Sequence, residues 1–222
     1  MTRVSIIIPV RNEAAVLPAL LDQLQNVAQV IVVDGGSTDE TRALALAGGA
    51  SVVDSEPGRA GQMNLGAAQA TGDVLVFLHA DTKLPADFLV QISHGIAAGA
   101  LWGRFDVRLS GTHPMFRVIA GMMNLRSRLT GICTGDQCLF VRRDVFNQVG
   151  GYPQIPLMED IELSSRLRKL QRPCCIRSAL VTSSRRWEAQ GILRTILLMW
   201  KLRLKYFLGV PASKLVREYY SQ

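Results

Sequence analysis

Acidic side chains follow apolar runs at three places early in the chain. Val30–Val33 leads into Asp34-Gly35-Gly36-Ser37-Thr38-Asp39, Val4–Val10 into Arg11-Asn12-Glu13, and Val74–Leu78 into His79-Ala80-Asp81. A carboxylate in such a place can accept hydrogen bonds from the N–H and O–H groups of a polar small molecule. Gly58-Arg59-Ala60-Gly61 sets a guanidinium between glycines, a group suited to a base or a phosphate. Farther on, Glu159-Asp160 opens the helical pattern Ile161–Leu170, where acids favour the positive end of a helix. Each group also has a plain structural alternative. Asp34 can cap its turn, Arg59 can be an exposed loop residue, and His79 can be a satisfied strand-end residue.

The elements that must position these groups are buried strands. Val4–Val10, Val30–Val33 and Val74–Leu78 are β-branched or aliphatic runs of the kind buried on both faces of a parallel sheet. Gly35-Gly36 permits a sharp turn close to a ligand, and Ser37 or Thr38 can cap a helix beginning near Asp39. Ligands of open α/β sheets bind outside the carboxyl ends of the strands. Recurrence of the pattern therefore points to one sheet edge carrying all these polar groups. The alternation continues with a strand at Ser51–Asp54, a loop at Glu56–Gly61, and a helix from about Pro85 to Ala98. A strand at Leu101–Leu109, a helix at Met115–Leu129 and a strand at Cys138–Arg142 follow.

At 222 residues and 48% hydrophobic, the chain can bury a full α/β core and is not a mainly disordered protein. Residues 1–100 carry a net charge of −5 and residues 101–222 carry +12, so the halves face different partners. A basic half suits nucleic acid, anionic lipid or a diphosphate. Nucleic acid is disfavoured, because the cations are not interleaved with aromatics and no recognition motif is present. No segment reaches the roughly 18 apolar residues of a spanning helix. Pro9 and Arg11 also interrupt the first apolar run too early for a signal peptide. These features predict a cytoplasmic protein, at most at the inner face of the membrane. Cys133, Cys138, Cys174 and Cys175 lack zinc-site spacing and read as core thiols.

Taken in order, PVRNE (Pro9 to Glu13), VDGGSTDET (to Thr41), GRAGQMNLGA (Gly58 to Ala67), FLHAD (Phe77 to Asp81), TGDQCLFVRRDVF with GGY (Thr134 to Tyr152) and MED (Met158 to Asp160) resemble a family 2 glycosyltransferase of the GT-A fold. The resemblance implies a single Rossmann-like α/β domain with a mostly parallel sheet flanked by helices. It implies an inverting, hexosyltransferase-type enzyme that takes a sugar from a nucleotide diphosphate donor with a divalent cation, Mn²⁺ or Mg²⁺. By that resemblance Pro9, Arg11, Glu13, Asp34, Arg59 and His79 line the nucleotide pocket, with Asp34 near the base and Glu13 near the ribose. Asp81 takes the metal position. His79 stands where the family has the first acid of an Asp-x-Asp motif, which leaves one carboxylate fewer and opens a preference for Mn²⁺. Asp160 matches the general base, Glu159 supports it, and Asp136 and Gln137 face the acceptor.

Ser183-Ser184-Arg185-Arg186-Trp187 resembles the Gln-x-x-Arg-Trp signature of related synthases with the glutamine lost, which implies that Arg186 and Trp187 clamp the diphosphate. The missing glutamine argues for one transfer to a small or lipid-like acceptor rather than polysaccharide extrusion. Ile192–Tyr206 is a basic amphipathic helix with Arg194, Lys201 and Lys205 on one face. It would lie on an anionic membrane, or pack on the catalytic domain or on a second copy in a homodimer. The predicted division is a catalytic domain at 1–185 and a helical tail at 186–222. The short FLHADT-to-SSRRW chain is also similar to a bacterial subgroup associated with arsenosugar biosynthesis, although no residue reports arsenic. The alternatives are a non-catalytic nucleotide-sugar-binding or membrane-surface module and an aspartate-dependent phosphatase at Asp34.

Overall fold

The computed structural model describes residues 2–220. Its centre is a seven-stranded sheet in the order β3-β2-β1-β4-β6-β5-β7. The strands are β1 (Val4–Val10), β2 (Gln29–Asp34), β3 (Ser51–Asp54), β4 (Val74–Phe77), β5 (Trp102–Leu109), β6 (Leu139–Arg142) and β7 (Cys174–Thr182). Strands β1 to β4 are parallel, with Val10 opposite Asp34 and Asp34 opposite Asp54, so the strand ends align at one edge. Strand β6 runs antiparallel to both β4 and β5, and β5 pairs with β7 in parallel. This is the mostly parallel α/β sheet that the sequence predicts. The chain order reverses beside β1, which makes the β1/β4 edge the crevice where such sheets bind ligands.

Helices cover both faces. On one side lie α1 (Leu17–Gln23), α2 (Thr41–Ala47), α4 (Phe88–Ala97) and α5 (Met115–Thr130), packed on Ile6, Ile8, Val32 and Val76. On the other lie α3 (Arg59–Gln69), α6 (Arg143–Gln148) and α7 (Glu159–Leu170), packed on Ile7, Ile31, Val33 and Leu75. The alternation of Ile6, Ile7 and Ile8 between these two cores is the period-two geometry of a strand buried on both faces. Helix α3 crosses the sheet closely at Gly66, where an added Cβ would stand 2.5 Å from Ile7 Cγ2. The Gln62 amide donates to the carbonyls of Val10 and Val33 at 2.9 and 2.8 Å. One buried side chain therefore ties the ends of β1 and β2 to α3.

The C-terminal region differs from the single basic helix read in the sequence. It forms α8 (Arg185–Gln190), α9 (Ile192–Phe207) and α10 (Ala212–Tyr220). Leu198, Leu202 and Leu215 bury against Met158 and Ile161 at the start of α7. The boundaries also shift locally. Helix α2 starts at Thr41, because Ser37 and Asp39 are spent on turn hydrogen bonds rather than on a cap near Asp39. Arg59 opens α3 instead of lying in a loop. Helix α4 starts at Phe88 rather than Pro85, and β6 starts after Cys138, whose φ of 49° breaks the strand. Among the described residues no helix is long and apolar enough to cross a membrane.

Candidate functional site

The loops after β1 and β2 are stitched to each other. Asn12 adopts φ 55°, its backbone N–H donates to Ser37 Oγ at 2.9 Å, and its side-chain Oδ1 accepts from Thr38 N–H at 2.8 Å. Asp34 is buried and accepts from both the N–H and the hydroxyl of Ser37. It therefore makes the turn bonds of its structural alternative, and a carboxylate's further lone pairs are what a ligand could use. Glu13 N–H donates to Thr41 Oγ1 at 2.8 Å, and Thr41 in turn donates to Asp39. The Thr41 hydroxyl, with backbone N–H groups, holds the Asp39 carboxyl below its ordinary range. Pro9 lies beside Val33 in the sheet, and Arg11 is exposed at the mouth.

Strand β4 delivers His79 and Asp81 beside this edge. The Arg185 guanidinium lies 3.2 Å from Asp81 Oδ2 and 3.5 Å from Glu13 Oε2, and Ser183 Oγ accepts its Nε–H at 3.1 Å. Burial opposes charge on Arg185, but the hydrogen bond to Asp81 and the nearby acids raise its pKa. Arg186 turns elsewhere. It donates to the Tyr219 carbonyl at 3.1 Å and stacks 3.6 Å over the Tyr219 ring, while Trp187 is half-buried on α8. The sequence reading put Arg186 at the diphosphate, whereas the structure brings its neighbour Arg185 to Asp81. The pairing of adjacent arginines in the sequence was the available signal, but only the start of α8 decides which one enters.

His79 Nδ1 is 3.4 Å from Asp136 Oδ1, so the imidazole is directed to the loop before β6. Burial works against ionisation of Asp136, yet His79, Arg59 and Arg203 overcome it and hold its carboxyl below the ordinary range. Gly135 makes this approach possible, since a Cβ there would stand 2.6 Å from His79 Nε2. Gln137 is fully buried, and its side-chain Oε1 accepts from Thr134 N–H at 3.2 Å. Of the two acceptor residues expected in this loop, only Asp136 reaches solvent.

Glu159 and Asp160 begin α7 after Met158, which takes φ 71°. Asp160 Oδ2 accepts from Gly135 N–H at 2.9 Å and Oδ1 from Ile161 N–H at 2.7 Å. Two backbone donors therefore orient this carboxylate. Glu159 is buried, with Arg59 Nη1 at 3.9 Å from Oε1. Burial and the neighbouring Asp160 raise its pKa despite Arg59. Arg59 itself is opposed by burial but kept charged by Glu159, Asp136 and Asp160.

Helix α9 sends Lys201 and Lys205 to Glu218 of α10, so these two of the three cations proposed for membrane contact are paired within the protein. Its exposed side is instead an apolar row of Leu193, Leu197, Trp200, Leu204 and Phe207. The four cysteines are free, and burial pushes the Cys138 thiol up to about 12. A cavity of about 610 Å³ beside Thr2, Asp73 and Arg142 lies at the opposite edge of the sheet. Its acids are already paired, Asp73 with Arg3 and Asp144 with Arg142, so the chemistry is assigned to the Asp81–Asp160 edge.

A divalent cation has a restricted donor set here. Among the described residues no group of three or more His, Cys, Asp or Glu side chains could enclose a metal. Asp81, beside a histidine that is turned to Asp136, fits a cation that takes one carboxylate and fills its other positions from substrate phosphates and water.

Residues 5–150 match the family described as glycosyl transferase family 2. Over 166 residues the chain is 37% identical to a PGL/p-HBAD biosynthesis glycosyltransferase of Mycobacterium bovis, a match covering 67% of this chain and 62% of the relative. The chain thus spans less than two thirds of that relative's length. Glucosyl-3-phosphoglycerate synthase of Mycobacterium tuberculosis is 32% identical over 101 residues, 39% of this chain and 31% of that one. The structure of that synthase with Mn²⁺, UDP-glucose and phosphoglyceric acid superposes with a TM-score of 0.68 at 21% identity, covering 95% of this chain and 81% of that chain. S. aureus TarS (residues 1–349) gives a TM-score of 0.67 at 18% identity, over 82% and 60% of the two chains.

Proposed function

We propose that this chain, which belongs to glycosyl transferase family 2, transfers a sugar from a nucleotide diphosphate donor to an acceptor hydroxyl with inversion. The observation that carries the reading is Asp160, aimed by two backbone N–H groups beside the sheet edge that holds Asp34, Glu13 and Asp81. Asp34 and Glu13 accept hydrogen bonds from base and ribose, and Arg59 and Arg185 meet the diphosphate charge. Asp160 takes the acceptor hydroxyl proton as that oxygen bonds to the anomeric carbon. The bond from that carbon to the diphosphate oxygen breaks, and its electron pair leaves with the nucleoside diphosphate. Attack comes from the face opposite the leaving group, so no glycosyl-enzyme nucleophile is needed. Asp81 would hold the divalent cation, Mn²⁺ or Mg²⁺, which when bound neutralises diphosphate charge as a Lewis acid.

A UDP-sugar donor is the specific form supported by the mycobacterial synthase solved with UDP-glucose and Mn²⁺. The buried, hydrogen-bonded turn around Asp34 lacks the second aspartate of a phosphatase motif, which favours transfer over phosphatase chemistry. The test is nucleoside diphosphate release from a panel of UDP-, GDP- and dTDP-sugars, with the anomeric configuration of the product read by NMR. An inverted product from one nucleotide class is the expected result. Binding without turnover in any acceptor mixture would favour the non-catalytic binding module, and a retained configuration would remove Asp160 as base.

An amphiphilic acceptor is favoured by a separate observation. Besides the apolar row of α9, helix α5 exposes Val118, Met122, Leu125 and Leu129 at helical spacing. Exposed apolar rows of this size mark interaction surfaces, and a lipid-linked acceptor or a membrane surface would cover them. Co-sedimentation with vesicles tests it, with loss expected on replacing Leu197, Trp200 and Leu204 by serine. Concentration-dependent dimerisation without vesicle binding would assign the rows to a second copy.

A further inference from the structure

His79 stands between the two parts of the site, and no step of the proposed transfer uses it. It opens the turn after β4, where Leu78 N–H donates to the Ile7 carbonyl at 3.0 Å and the His79 carbonyl accepts from Thr82 N–H at 3.2 Å. Asp81 belongs to the same turn. The imidazole is only 13% exposed, so protein neighbours rather than solvent set its orientation.

Both ring nitrogens face the loop before β6. Nδ1 is 3.4 Å from Asp136 Oδ1, and an added Cβ at Gly135 would stand 2.6 Å from Nε2 and 2.9 Å from Cε1. An ionised carboxylate can only accept a hydrogen bond, which puts the proton on Nδ1. Residue 135 is a glycine for room, since its φ is not positive and the imidazole fills the place of its Cβ. The loop is a single 3₁₀ turn, Gly135–Gln137, whose ends are held by the Thr134–Gln137 capping box and by Cys133 N–H on Ser164 Oγ at 3.1 Å. Its middle is held from β4 by His79.

That middle orients Asp160. Two backbone groups donate to the Asp160 carboxylate, Gly135 N–H at 2.9 Å and Ile161 N–H at 2.7 Å. Ile161 lies in the first turn of α7 with Asp160 and moves with it. Gly135 N–H is therefore the donor that fixes the carboxylate relative to the sheet, and the His79 ring is what fixes Gly135.

We propose that His79 is a positioning residue for the base: its Nδ1–H on Asp136 and its ring edge on Gly135 hold the turn whose N–H aims Asp160. The inference rests on the reading of Asp160 as base and deepens it. One turn then carries Asp81 toward the donor and His79 toward the base, so the two carboxylates keep a fixed spacing. The family resemblance places His79 in the nucleotide pocket, whereas the ring spends both nitrogens on the loop that orients Asp160.

The test uses the whole chain with UDP-glucose and Mn²⁺, and reads UDP release with water or glycerol 3-phosphate as acceptor. A displacement of about 1 Å at a reacting group costs about 10²-fold, so His79→Ala should lose that much kcat while KM for UDP-glucose and UDP affinity stay level. His79→Asn puts an amide nitrogen where Nδ1 stands and should recover about tenfold of the loss, the scale of one charge-assisted bond. His79→Gln puts its nitrogen where Nε2 stands and should recover little. A second readout needs no turnover, because the Gly135 amide resonance of ¹⁵N-glycine-labelled protein reports the hydrogen bond to Asp160. It should move in His79→Ala and His79→Gln toward its position in Asp160→Asn, and stay near wild type in His79→Asn. If the alanine variant does not fold, the asparagine and glutamine variants decide. An unmoved Gly135 resonance, equal kcat in all three variants, or a loss of UDP affinity at constant kcat would overturn the assignment, the last by returning His79 to the nucleotide. If Asp160→Asn turns over normally, or the wild type releases no UDP, the reading of the reaction fails by itself. The Gly135 resonance then still decides whether His79 positions this carboxylate.

Discussion

The two flanks of Asp160 are built by opposite means. On the nucleotide side the loops after β1 and β2 satisfy one another: Asp34 with Ser37, Asn12 with Ser37 and Thr38, and Asp39 with Thr41. On the other side α7, α9 and α10 are held by apolar packing of Ile161, Leu198, Leu202 and Leu215. Hydrogen bonds with angular demands fix the first flank to a shape before any ligand arrives. Apolar contacts are non-directional, so the shape of the second flank is set by how its helices pack.

The largest effect is expected at Asp160, between the two flanks. Asp160→Asn should lower kcat by about 10² to 10⁴, the range of a lost general base, with UDP affinity by calorimetry unchanged. A turnover near wild type would remove the base from this carboxylate. Gly135→Ala should come next, because its Cβ would meet His79 Nε2 at 2.6 Å and displace the N–H that orients Asp160. A shift of that size costs about 10²-fold in kcat, and the nucleotide flank should keep its UDP affinity. Arg185→Ala sharpens the contrast from the other side. Loss of the guanidinium that meets the diphosphate should weaken UDP binding by about tenfold, while a swap at Arg186, which stacks on Tyr219, should act on stability instead. Melting temperature and UDP titration of the two variants separate these effects.

The smallest effect concerns Glu159. Its folded pKa is raised above the unfolded value by burial and by Asp160. The unfolded chain therefore releases the proton first, and stability falls as pH rises from the ordinary carboxyl range of about 4 toward the folded value. Glu159→Gln should flatten that slope in urea midpoints measured between about pH 4 and 7. An unchanged slope would mean that Arg59 compensates the carboxylate fully.

Legibility in the sequence follows the same division between the flanks. The strands ending at Val10, Asp34 and Phe77 are legible because a strand buried on both faces must be a continuous apolar run, whereas Ser51–Asp54, a half-exposed edge strand, shows itself only as a short β-branched run. Asp34 and Asp81 were readable because short motifs follow those runs directly. Where α2 begins was misjudged, since Ser37 as a cap and Ser37 as a partner of Asp34 are the same residue type at the same spacing. Gln137 looked like an acceptor ligand because its burial depends on the fold around Thr134. Strand β7 gave little periodic signal, being half-buried along most of its length.

By itself the sequence determined the α/β alternation, the carboxylates at the strand ends and the family, because each resides in local patterns that a strand or turn requires. Only the packing of distant elements brings Arg185 rather than Arg186 to Asp81 and pairs Lys201 and Lys205 with Glu218. Those outcomes depend on where α8, α9 and α10 come to rest, and non-directional apolar packing between residues distant in the chain sets that placement.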